Sequence, residues 1–266
     1  MPLAMNRRTF VLAAAPALAF AANVHAAAFA APESIRLPLD SRDGLDIIGL
    51  TPKSKAEPGT LHGRHSLRML QVPEPDANGR ASDSMFAIVK NSGFEDGTIE
   101  AELAGMPRSG APAVARGFVG IAFRMSPDTS RFEMFYIRPT NGRAYDQLLR
   151  NHATQYVSYP GYNWPGLRTE APGVYEFYAD MEPGAWTTMK ITVAGTKARL
   201  YLNDAAQPCL IVNDLKQGRT NGTIALWSGP DSDTYFRNLT ITPRSDGGAP
   251  FDKLRVTIKL QPNRVR

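Results

Sequence analysis

The chain has 266 residues, 43% of them hydrophobic and 21% charged, and carries a formal net charge of +5. That is ordinary globular composition, and the length suffices for one domain with its own core. The small excess of base forms no Lys/Arg block, which excludes a nucleic-acid reader. Four scattered histidines show no metal-ligand spacing, and a single cysteine rules out an intramolecular disulfide.

The N-terminus reads as an export signal. Arg7 and Arg8 precede an apolar run from Phe10 to Ala22 that is too short to span a bilayer, and Val24-His25-Ala26 supplies small residues for cleavage. The pattern is that of a twin-arginine (Tat-type) signal over residues 1–26, with an ordinary secretory signal as the alternative. Its removal takes away two arginines and no acid, lowering the formal charge from +5 to +3. The expected location is periplasmic or extracellular in a bacterium, with no membrane attachment after cleavage. Residues 27–34 form a spacer.

From Ile35 onward, short extended runs alternate with Gly, Pro, Asn and Asp clusters, the pattern of a sandwich or barrel. The predicted strands lie at 66–70, 85–89, 98–103, 117–124, 132–138, 174–179, 187–193, 198–202, 209–212, 223–227 and 235–241. Asn203-Asp204 marks a tight turn between two of them. Helical periodicity is absent apart from a single turn near Tyr145–Arg150. About a dozen strands in one domain, 35–243, predict an all-β, two-sheet antiparallel sandwich. In the 244–266 extension, Leu254, Val256, Ile258 and Leu260 alternate with Arg255, Thr257 and Lys259. That pattern fits an added edge strand or a disordered tail.

Strand parity selects candidate site residues. Gly120, Ala122 and Arg124 share one face of their strand. On the next, Phe132, Met134, Tyr136 and Arg138 share one face, with Glu133, Phe135 and Ile137 on the other. Small residues beside an arginine leave room for a ligand, and a guanidinium binds hydroxyls or a carboxylate through two donors. Arg124, Glu133, Tyr136 and Arg138 are therefore candidates, with a plain Arg124–Glu133 cross-strand pair as the alternative. Asn141 and Arg143 follow in the Pro-Thr-Asn-Gly turn. Residues 151–165 read as a loop dense in aromatics and amides, which suits sugar rings. Gln155, Tyr159, Tyr162 and Trp164 are its candidates, the alternative being a satellite core. His152 is a possible base, but no spacing selects a pair among Glu133, Asp146, Glu170, Glu176 and Asp180. Trp186 and Trp227 read as core aromatics and Cys209 as a buried apolar residue. Asp231-Ser232-Asp233 lacks the remaining ligands of a calcium loop.

The order of Gly97-Thr98-Ile99-Glu100-Ala101-Glu102, Gly120-Ile121-Ala122-Phe123-Arg124, Phe132 to Tyr136, Gly184 to Ile191, Leu200 to Asn203, Gly222 to Trp227 and Tyr235 to Leu239 resembles a concanavalin A-like lectin/glucanase jelly roll. It is most similar to the laminin-G-like and DUF1080 (3-keto-disaccharide hydrolase-like) branch. The resemblance implies a jelly-roll sandwich with a curved sheet whose concave face holds a saccharide or glycoside. It implies no cofactor, although some members of the wider fold hold a structural calcium. The Glu-x-Asp-x-x-Glu pattern of family 16 glycosidases is missing, since Gly105 stands where its third acid belongs. The Gly-x-x-Tyr segment usual in 3-keto-disaccharide hydrolases is not evident either. Three readings remain open: a non-catalytic sugar-binding module, a glycoside or 3-keto-glycoside hydrolase, and a structural envelope protein. Neither the sugar nor the oligomeric state is legible.

Overall fold

Alternating side chains dictate two packed sheets. In β11 (Thr187–Ala194), Met189, Ile191 and Val193 are buried while Thr188, Lys190 and Thr192 are only partly so. The strand pairs with β6 (Gly97–Pro107) on one side and β12 (Lys197–Leu202) on the other, bringing Glu100, Lys190 and Tyr201 into one outer row. The two-carboxylate sequence Glu100-Ala101-Glu102 therefore faces outward from this sheet, where Glu102 pairs with Arg64 at 2.5 Å.

The computed structural model describes residues 33–41, 45–71 and 85–244. An eight-stranded sheet runs β13 (Leu210–Val212), β12, β11, β6, β15 (Ser232–Pro243), β4 (Arg64–Gln71) and β3 (Ser54–Leu61), with β1 (Ile35–Leu37) paired to β15. A seven-stranded sheet runs β10 (Glu176–Phe177), β9 (Thr154–Tyr159), β8 (Phe132–Ile137), β7 (Val119–Met125), β14 (Gly222–Ser228), β5 (Phe86–Phe94) and β2 (Ile48–Leu50). Every pairing is antiparallel. Ile99, Leu103, Met189, Ile191 and Phe236 from the first sheet share one apolar core with Val89, Ile121, Phe123, Phe135 and Leu226 from the second. This is the expected jelly-roll sandwich. The predicted export signal (1–26), most of the spacer and the tail beyond residue 244 lie outside the described residues.

Two local expectations need correction. The strand predicted at 174–179 shrinks to the two residues of β10. The predicted loop 151–165 is instead the strand β9, a tight turn, and the start of a helix, α2 (Trp164–Glu170). In β9, Thr154 to Ser158 are all buried, so the polar/apolar alternation that advertises a strand is lost. The helix α1 (Gln147–Asn151) falls close to the predicted turn, and its N-terminal amides at Leu148 and Leu149 donate to the Asp146 carboxylate.

Arg124 is a second kind of correction: it does not stand on an open sheet face but is fully buried. Its strand loses register against β14 between Thr223 and Ala225, and Arg124 itself has a left-handed φ of 53°. That irregularity breaks parity and turns the side chain into one end of the sandwich, where it is 0% exposed. Its Nε donates to the Glu95 carbonyl at 2.9 Å and Nη1 to the Gly218 carbonyl at 2.8 Å. Its Nη2 reaches Asp96 Oδ1 at 2.8 Å and the Gly195 carbonyl at 2.7 Å. The Gly195 amide donates to the same Asp96 oxygen. One guanidinium thus ties together three connections: the β5–β6 turn, the β11–β12 turn and the approach to β14. The partner anticipated from parity, Glu133, makes no ion pair with it; Asp96 does.

Replacing one member of a buried, hydrogen-bonded ion pair costs about 3–5 kcal/mol. Arg124→Met should therefore lower the melting temperature by roughly 10 °C, read by thermal unfolding. A melting temperature within a degree or two of the parent would contradict the assigned role.

Candidate functional site

The outer face of the seven-stranded sheet carries a hollow of about 310 Å³. Its wall follows from strand pairing. Phe132, Met134 and Tyr136 of β8 stand opposite Tyr159, Val157 and Gln155 of β9. On the other side Tyr136 stands opposite Gly120, which pairs in turn with Trp227 of β14. Phe86, Phe118, Pro230, Thr129, Ser130 and Trp164 complete the lining.

The aromatic rings brace one another. Phe132 and Tyr159 stack with centroids 5.0 Å apart, Tyr136 lies 5.0 Å from Trp227, and Phe118 meets both of the latter edge-on at 6.1 and 6.4 Å. Two glycines make this spacing possible. A Cβ at Gly120 would fall 2.4 Å from the Phe135 carbonyl oxygen and 2.5 Å from Tyr136 Cβ; one at Gly229 would fall 2.3 Å from Phe118 Cβ.

The rim is built by capped turns. Asp128 accepts hydrogen bonds from the Ser126 and Ser130 hydroxyls and from the Ser130 amide, which hold its carboxyl down at about 2 and shape the Thr129–Ser130 corner. On the opposite lip, Asn163 accepts from the Gly166 amide at 3.0 Å and starts α2, while buried Leu167 pins the helix to the sheet. Trp164 at the helix start remains 43% exposed.

A polar cluster adjoins the aromatic wall at the β8–β9–β10 edge. Arg138 donates through Nη2 to the Tyr136 hydroxyl (2.8 Å) and Gln155 Oε1 (3.2 Å), and through Nη1 to the His152 carbonyl (2.8 Å). Its Cζ lies 4.9 Å from the Tyr136 ring, 5.8 Å from Phe118 and 6.0 Å from Trp164. Arg168 packs 4.8 Å from the other side chain of this lip, Trp164, and holds the buried Glu176 carboxylate through two nitrogens. His152 Nδ1 also lies 2.7 Å from Glu176. Burial, reinforced by Arg168 and Arg138, pulls the His152 pKa below its usual value, against the pull of Glu176.

Of the candidates from sequence, Tyr136, Tyr159 and Trp164 line the hollow, and Arg138 and Gln155 support its wall. Asn141 is buried one step further back, donating to the His152 carbonyl at 3.3 Å. The others lie elsewhere. Glu133 occupies the opposite parity and points into the core, accepting from the Tyr156 hydroxyl (2.6 Å) and the Gln217 amide (2.9 Å). Arg143 is exposed and paired with Asp180 and Glu182, because the turn at Pro139–Asn141 carries it off the sheet. Tyr162 does not line the hollow; it is half-buried, with Lys216 Nζ 5.5 Å from its ring. Trp227, read as a core aromatic, is 5% exposed yet forms part of the wall. Phe132 and Met134 were legible from their shared parity with Tyr136; Phe86, Phe118, Thr129 and Ser130 carried no comparable signal. Burial pushes the Cys209 thiol up to about 12, away from a reactive thiolate. Asp231 and Asp233 are engaged by different arginines, Arg108 and Arg68.

Residues 49–242 match the model of the 3-keto-alpha-glucoside-1,2-lyase-like domain. The chain belongs to that family. The 3-keto-alpha-glucoside-1,2-lyase-like domain thus spans almost the whole described sandwich, both sheets and the hollow included. Among solved structures, a protein of unknown function with a galectin-like fold from Bacillus subtilis is 14% identical over 78% of this chain and 94% of its own, with a TM-score of 0.52. The carbohydrate-binding module CBM66 from Bacillus subtilis is 13% identical over 71% and 95%, with a TM-score of 0.45. A β-glucanase from Bacillus licheniformis is 12% identical over 79% and 98%, with a TM-score of 0.42. None of the curated proteins matches the sequence.

The inward Glu133 sets a pH dependence. Burial raises its pKa above the ordinary 4.5, despite its hydrogen bonds with Tyr156 and Gln217. The folded state then holds the proton to higher pH than the unfolded state, so stability present below pH 4.5 is lost as pH rises through the folded value. Glu133→Gln should flatten the decline of melting temperature as pH rises above 4.5. An unchanged slope would show that Glu133 does not titrate this way.

Proposed function

We propose that this protein is an exported, non-catalytic saccharide-binding domain that holds a sugar in the aromatic hollow of its seven-stranded sheet. One observation carries the reading. The hollow offers aromatic planes for the C–H faces of a sugar ring and hydroxyls at Thr129 and Ser130, while its lining includes no Asp, Glu, His or Lys. Glycoside hydrolysis asks for two facing carboxyl groups about 5–10 Å apart. The twin-arginine pattern at Arg7-Arg8 supports a periplasmic or extracellular location.

A second reading is cleavage of a 3-keto-glycoside, supported by the family and by the His152–Glu176 contact. A neutral imidazole close to a carboxylate is a candidate general base. Neither residue lines the hollow, which ranks this reading second.

A glycan array followed by calorimetric titration, run beside turnover assays on glycosides and 3-keto-glycosides, separates the two. Binding without turnover is expected, whereas turnover abolished by His152→Ala would replace the first reading by the second. Trp164→Ala should weaken the saccharide at least about tenfold and leave the melting temperature unchanged, since the ring is 43% exposed. Undiminished affinity in that variant would place the ligand elsewhere.

A further inference from the structure

The polar cluster beside the hollow does not balance in charge. Arg138 is only 5% exposed, yet its three hydrogen bonds go to neutral acceptors: a phenol, an amide and a backbone carbonyl. No carboxylate among the described residues makes an ion pair with it; Glu176, the one acid close enough to act on it, is shared with Arg168 and lies against His152. Arg116 is a third guanidinium close enough to act on Arg138, and its own hydrogen bonds go to the Ala113 and Ala115 carbonyls. Three guanidiniums thus face one carboxylate, with the imidazole held toward neutrality by burial. Arg138 does not itself line the hollow but stands directly behind its wall: all three rings against which it packs, Phe118, Tyr136 and Trp164, are lining residues.

A desolvated cation without a counter-charge is costly, and in a poorly polarisable wall its field extends further than it would in water. An arginine pinned by three acceptors keeps its geometry without help from an acid and retains its attraction for an anion. Resting on the saccharide-binding reading above, we infer that the hollow takes an acidic sugar, one whose ring carries a carboxylate, and that this carboxylate supplies the missing negative charge on the Arg138 side. The aromatic rings take the sugar's apolar face, and the Thr129–Ser130 rim meets its hydroxyls.

The test is a matched panel for calorimetric titration with the purified protein. Oligomers of galacturonate, glucuronate, mannuronate and guluronate are each compared with their carboxyl-reduced, neutral counterparts, with a sulfated oligosaccharide as a further arm. At least one uronide should bind about tenfold or more tightly than its reduced partner, and more tightly than the sulfated sugar. Arg138→Gln should erase that preference while retaining weak binding of the neutral form. Should Arg138→Gln fail to fold, Arg116→Gln, whose side chain bonds only backbone carbonyls, should reduce the preference severalfold at unchanged melting temperature. Equal or tighter binding of the reduced sugars overturns the acidic-ligand assignment and leaves saccharide binding standing. A preference for the sulfated sugar overturns the carboxylate. A preference that survives in the arginine variants removes the role given to this cluster. Binding of no member of the panel, while neutral glycans bind on the array, also overturns it; binding of no glycan at all overturns the saccharide reading itself.

Discussion

A strand can present alternate side chains to only two faces, and the candidate site depends on how β8 divides them. Glu133, Phe135 and Ile137 go to the core; Phe132, Met134 and Tyr136 go to the hollow. Both faces are buried, so neither set can be exchanged for solvated residues without loss. The inward carboxyl is therefore committed to Tyr156 and Gln217, and the outward tyrosine to its ring neighbours and Arg138. The same alternation in β9 and β14 aligns Tyr159, Val157 and Trp227 beside them. The floor of the hollow is a product of pairing register, and its rim is set by the turns around it.

Much of the fold was legible in sequence because most strands are amphipathic or continuous apolar runs bounded by turn residues. Where both faces are covered, that signal disappears. Thr154-Gln155-Tyr156-Val157-Ser158 reads as a polar, aromatic loop, yet each of these residues is buried. The helix was hidden for a related reason. It is seven residues long, begins Trp-Pro-Gly, and depends on the Asn163 cap and buried Leu167 rather than on helix propensity.

The candidate site was partly legible by parity, and parity failed where the backbone breaks step. Counting from Gly120 and Ala122 puts Arg124 on the ligand face; the left-handed residue and lost register turn it inward. A bulge announced by glycine or asparagine can be anticipated, whereas an arginine in that conformation gives no warning. The counting held for Tyr136 and for Arg138 beyond the strand's end, then lapsed at Arg143 once the chain turned. Trp227 shows the reverse ambiguity, because a ring nearly closed to solvent can still form a cavity wall.

The glycines beneath the aromatic rings decide which parts of the hollow can diversify. At Gly120 even one methyl would collide with main-chain oxygen, and at Gly229 with the Phe118 side chain close to its root. Floor depth is thereby frozen by backbone proximity. A relative adapted to a bulkier or slimmer guest would have to change its lips, the Ser126–Ser130 corner and the capped tryptophan helix, while keeping the base intact. Tailoring by directed evolution should accordingly concentrate its libraries on those two margins.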